Sequence, residues 1–190
     1  MFEADSFSEM FYQTCVRGYE KMSPEAAGIL RHAVTSQQGP GGLFCGRAGQ
    51  EDLYYTFFGV LLALVTQAKF RRKECRNRMA AMDFSTLDLV HACAWLRVTG
   101  ILKLLALPKF LRQNAMTFRR FGVSKNDLEK LRSLDELPES AFPQRDKCSP
   151  YSRFLWGTLL ADFGLDVPDA DLTDYRLSNG LYANLKDHTG

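Results

Sequence analysis

Apolar residues recur three and four positions apart along much of the chain, the spacing of helices with one buried face. Ser6-x-x-Glu9 is a capping-box pattern ahead of Phe7, Met10, Phe11, Thr14 and Cys15, which predicts a first helix running to about Met22. Ser23-Pro24 starts a second, since proline at the first helical position gives up an amide that had no partner there. Ala26, Ala27, Leu30, Ala33 and Val34 carry it to about Ser36, and Gly39-Pro40-Gly41-Gly42 ends it. Asp52 is placed to cap a third helix from Leu53 to Val65, apolar on nearly every side, so other helices must enclose it. The helix at Ser23 to Ser36 is correspondingly peripheral. Ser85-x-x-Asp88 opens the next, with Leu87, Val90, His91, Ala94, Trp95 and Val98 on one face. Gly100 interrupts it before a second run, Ile101 to Leu107, which Pro108 breaks. Ser124-x-x-Asp127 caps a short helix through Leu131, and Ser133 to Lys147 reads as a surface loop rich in proline and charge. Ser149-Pro150 starts a last helix ending before Gly164. No stretch alternates apolar and polar residues and β-branched residues are sparse, so the expectation is an all-α protein of seven or eight helices.

Composition changes this picture little. At 190 residues, with 46% hydrophobic and 24% charged positions, the chain carries the apolar content of a globular core and is unlike a disordered, collagenous or disulfide-scaffold sequence. Its net charge of +2 is too near neutral for a polyanion binder, so no nucleic-acid partner is expected and any basic site must be local. The run from Leu53 to Val65 falls short of the roughly 20 residues a membrane span requires, so no transmembrane segment is expected. Five cysteines with no CxxC pair, and no charged-then-apolar leader at the amino terminus, fit a reducing cytoplasm.

One short repeat stands out. Gly42-Leu43-Phe44-Cys45 recurs as Gly180-Leu181-Tyr182-Ala183, an offset of 138 residues that divides into three units of 46, the size of a helix pair. The first copy leads into the apolar helix at Leu53, and the second stops at Gly190, where an equivalent helix is expected to begin.

The segment from Gly41 to Phe58, Gly41-Gly42-Leu43-Phe44-Cys45-Gly46-Arg47 followed by Asp52-Leu53-Tyr54-Tyr55-Thr56, resembles the repeat motif of protein prenyltransferase β subunits and the related terpene cyclases. The resemblance implies an α/α toroid of helical hairpins, here a single toroid-like domain over 1–190 that is incomplete at its carboxy-terminal end. It also implies an isoprenoid diphosphate, or a similar apolar molecule, as ligand. Arg47 corresponds to the motif's Gly-Arg position, and Asp52 and Tyr55 to the Asp and Tyr at its helix start. In that family an Asp, a Cys and a His hold zinc. Leu53, Tyr54 and Tyr55 follow Asp52 here, and the Asp-x-Asp-Asp initiator of the cyclases is replaced by Asp169-Ala170-Asp171-Leu172. No metal and no cofactor are therefore expected.

The residues themselves allow two readings of that loop. Its glycines, the free amides of the following helix and Arg47 suit an anion; the same residues make a tight turn held by structural bonds. Tyr54 and Tyr55, with Phe57 and Phe58, either line an isoprenoid tunnel or pack the core. His91, with Trp95 one turn on, is either a cavity-lining acid/base group or a satisfied core histidine. Lys69-Phe70-Arg71-Arg72-Lys73, with Arg76 and Arg78, is a local basic patch that either meets phosphate or an acidic partner, or simply ends a helix in solvent. The candidate ligand-binding residues are Arg47, Asp52, Tyr54, Tyr55 and His91. The function they point to is a prenyltransferase-like protein that holds an isoprenoid diphosphate or a similar apolar ligand, with transferase activity either kept or lost. The alternative is a non-catalytic helical-repeat scaffold that binds protein.

Overall fold

A computed structural model describes residues 6–107, 125–135, 149–169 and 171–183. Among them are seven α-helices: α1 (Phe7–Glu20), α2 (Pro24–Ser36), α3 (Leu53–Val65), α4 (Arg72–Ala80), α5 (Leu89–Ala106), α6 (Lys125–Asp135) and α7 (Pro150–Asp162). Short 3-10 turns lie at Phe84–Thr86 and Thr173–Tyr175, and the described residues hold isolated β-bridges and no strand. The all-α expectation holds.

The helix starts follow their caps. The side chains of Ser6, Ser23, Asp52 and Ser149 accept from the amides of Glu9, Ala26, Tyr55 and Ser152, each satisfying one of the donors a helix start leaves open. α5 departs from expectation twice. Asp88 caps it, accepting from the His91 amide, while Ser85 sits in the preceding 3-10 turn and bonds Asp83. Gly100 does not interrupt it. A helical glycine costs about 1 kcal/mol against alanine, whereas each buried aliphatic side chain contributes about 1.5–3 kcal/mol. With Ile101, Leu102, Leu104 and Leu105 buried beyond Gly100, continuing the helix wins. α6 runs to Asp135, past the expected Leu131 and into the segment read as loop; the rest of that loop, and Ser124, lie outside the described residues.

α3 and α5 pack together at the centre. α1 and α2 lean on α3, while α4, α6 and α7 lean on α5. α2 is peripheral as expected, burying only Val34. α5 is long and apolar enough to cross a membrane by length and composition, yet most of it is buried within the helix packing.

A buried polar knot ties α1, α5 and α7. Asp162, wholly buried, accepts from Ser6 Oγ (2.7 Å), Ser8 N (2.8 Å), Ser8 Oγ (2.7 Å) and Arg97 Nε (2.6 Å). Arg97 donates again to Thr158 Oγ1 (2.8 Å) and lies over the Phe7 and Phe57 rings. Each oxygen of the carboxylate is thus satisfied, the condition under which a buried charge is tolerated.

The two short repeats adopt one turn. In the first, Gly39 N–H donates to Leu43 O (2.8 Å), Gly42 N–H to Gly39 O (3.1 Å) and Cys45 N–H to Gln37 O (2.8 Å). In the second, Leu177 N–H donates to Leu181 O (2.7 Å), Gly180 N–H to Leu177 O (3.0 Å) and Ala183 N–H to Tyr175 O (2.8 Å), every partner displaced by 138 positions. Gly42 and Gly180 both take positive φ, +94° and +83°, which only glycine adopts without strain.

Candidate functional site

The loop from Gln37 to Asp52 is built inward. Arg71, just ahead of α4, donates to the carbonyls of Gln38 (3.2 Å), Gly39 (2.7 Å) and Pro40 (3.3 Å), while Gln38 Oε1 accepts from the Arg71 amide (2.8 Å). The glycines let the Glu51 side chain lie against the turn, for a Cβ on Gly39 or Gly41 would fall within about 2.5 Å of it. Glu51 Oε1 is buried there without a hydrogen-bond partner. The turn interior therefore holds a carboxylate, and an anion entering it would meet like charge. Arg71, from the basic patch, serves as the clamp, and Arg72 lies over the Phe70 ring. Arg47 stands exposed at the outer tip.

Beside this loop the amino termini of α3 and α5 meet. His91 Nδ1 pairs with Asp88 Oδ1 (2.7 Å) and His91 Nε2 with Asp52 Oδ2 (3.0 Å), so one imidazole bridges the two capping carboxylates. Burial pushes the His91 pKa down, but the hydrogen bonds and charges of Asp52 and Asp88 outweigh it and hold it above the ordinary value. Burial likewise opposes ionisation of Asp52, and the bonds from His91 and the Tyr55 amide overcome it, leaving the carboxyl below its ordinary range. Both ring nitrogens are used, so His91 has none to offer a ligand in this arrangement. The carboxylates sit on opposite sides of the ring and do not converge as metal ligands; among the described residues no such set of three occurs. Tyr54 packs edge-on to Tyr55 (5.6 Å) and Phe58 (5.0 Å), and both tyrosines are about one-third exposed. Tyr55 and Phe58 line a shallow apolar groove of about 230 Å³ against α2, whereas Phe57 is core.

The large cavity lies elsewhere, between α4, α5 and α6. It measures about 740 Å³, within the range of about 300–1,000 Å³ usual for small-molecule sites. Met79, Met82, Phe84, Trp95, Leu102 and Ala106 form its apolar wall, and Arg76, Lys103 and Lys130 bring positive charge. Trp95 is fixed by its indole N–H, which donates to Met79 O (3.1 Å). Lys130 Nζ lies 4.2 Å from the Trp95 ring centre and 5.7 Å from that of Phe84, a cation over two aromatic faces. Lys103 pairs with Asp127 (2.9 Å). Thr99 Oγ1, also in the lining, is buried and has no hydrogen-bond partner. Asp83 is the lining carboxylate; hydrogen bonds from the Ser85 hydroxyl and amide lower its pKa, so it stays ionised.

Of the sequence candidates, the structure brings Asp52 and His91 into contact and sets Tyr54 and Tyr55 on the helix Asp52 caps. None of these four, nor Arg47, lines the large cavity. Of the residues that do line it, Arg76 belongs to the basic patch and Trp95 to the His91 face, and the rest were missed. The lining's only sequence signal is the basic run around Arg72 and the Trp95 face of α5, which the fold brings onto one wall. No family model, curated protein or solved structure matches the chain.

Proposed function

We propose that the chain is a prenyltransferase- and terpene-cyclase-like helical-repeat protein that holds an isoprenoid diphosphate without converting it, in the cavity between α4, α5 and α6. The observation that carries this reading is the cavity itself: a space of about 740 Å³ with an apolar wall for a hydrocarbon tail, and Arg76 and Lys130 in its lining for an anionic head, beside a Lys103 already paired with Asp127. The repeated turn supports the repeat architecture. The bonds from Ser85 favour the ionised form of Asp83, so this lining carboxylate is no acid for a cyclisation begun by protonation.

Calorimetric titration with farnesyl diphosphate, farnesol and inorganic diphosphate tests this. The diphosphate ester binds best, farnesol more weakly because the head contributes charge-assisted bonds of about 1.5–3 kcal/mol, and inorganic diphosphate least because the tail is absent. Lys130→Met weakens the ester by about tenfold, as does Leu102→Trp by filling the space, while Arg47→Ala leaves it unchanged. Absence of binding by the unmutated protein, or a tenfold loss confined to Arg47→Ala, contradicts the placement.

A further inference from the structure

The two turns share a backbone and differ in what covers them. In the first, Leu43 and Phe44 are each 2% exposed. Phe44 lies against Gly59 of α3, where a Cβ would fall 2.2 Å from the ring, and Gly42 abuts the first turn of α4, where a Cβ would fall 2.5 Å from the Cys75 amide. In the second, Leu181 and Tyr182 are 64% and 53% exposed, and a Cβ on Gly180 would meet nothing within 4 Å. The chain thus shows what this turn packs against when it is covered: an apolar helix notched by glycine, followed by a helix whose start presses on the turn glycine.

Charge points the same way. α4 carries Arg72, Lys73, Arg76 and Arg78 against one acid, Glu74. The approach to the second turn exposes Asp166, Asp169, Asp171 and Asp174, with Arg176 the cation among them.

We propose that the second turn is a docking surface for a partner polypeptide bearing a helical hairpin of α3–α4 chemistry: an apolar helix whose glycine receives Tyr182, then a basic helix that sits on Gly180 beside the aspartates. Leu181 and Tyr182 are the apolar anchors, and the aspartates speed encounter and set orientation. This surface lies apart from the cavity and does not depend on the ligand reading.

The test titrates a fluorescein-labelled peptide of residues 51–81, which carries α3 and α4, with the whole chain, reading anisotropy once circular dichroism and sedimentation have shown the peptide to be helical and monomeric. Saturable binding is expected, weakened about tenfold or more by Tyr182→Asp in the chain and by Gly59→Leu in the peptide. It is also expected to weaken as sodium chloride rises from about 50 to 500 mM. Tyr182 is exposed, so the variant keeps the helical circular-dichroism spectrum. No saturable binding, or binding indifferent to Tyr182→Asp, overturns the proposal. Concentration-dependent self-association of the chain that Tyr182→Asp abolishes also overturns it, by making a second copy the occupant.

Discussion

His91 shows how one side chain joins two helices, and at what pH. Its pKa is raised in the folded state, so its contribution to stability is full below the ordinary histidine value of about 6.5 and is lost as pH rises through the higher folded value. Asp52 is lowered, so its share is full above the ordinary carboxyl value of about 3.9 and is lost as pH falls through the lower folded value. The bridge is therefore strongest between about pH 4 and 6.5. His91 and Asp52 are each about one-third exposed, which limits the gain to at most about 1 kcal/mol. Urea unfolding of the wild type and His91→Gln is expected to differ by up to that amount at pH 6 and to converge by about pH 9. A difference that grows with pH would contradict a bridge made by the imidazolium.

At the scale of elements, the turns make a paired prediction. Gly42→Ala and Gly180→Ala both force an L-residue into left-handed backbone, at about 1–2 kcal/mol. Only at Gly42 does the new methyl also strike the Cys75 amide, a backbone atom that cannot swing aside. Thermal unfolding should show Gly42→Ala lowering Tm several degrees further than Gly180→Ala, and equal losses would mean that α4 does not press on the first turn.

The same elements show how much the sequence could tell. Caps were legible because Ser, Asp and Ser-Pro act on amides two or three residues away, a purely local interaction. Asp88 rather than Ser85 is the cap because Asp83 caps a 3-10 turn at Phe84–Thr86 that takes up Ser85, and α5 begins only at Leu89, a competition that spacing alone does not rank. α4 carried no readable apolar stripe, since only Cys75 and Met79 turn inward among its charges; tertiary packing makes it a helix. Of the candidate site, the Asp52 cap was legible, and its pairing with His91, 39 positions away, was not.

For the whole molecule, the cavity is the feature furthest from the sequence. It is bounded by residues from Arg76 to Lys130 on three helices, and it exists because those helices leave space between them, which no residue pattern records. The loop that carries the family resemblance folds instead into a clamped turn around Glu51, with the two α-helix starts beside it neutralised by Asp52, Asp88 and His91. Hydrogen exchange separates the two regions as places for the proposed ligand. With farnesyl diphosphate bound, amides of 76–84, 95–106 and 125–135 should exchange more slowly while those of 39–55 stay unchanged. Protection centred on 39–55, or no protection anywhere at saturating ligand, would contradict a ligand held between α4, α5 and α6.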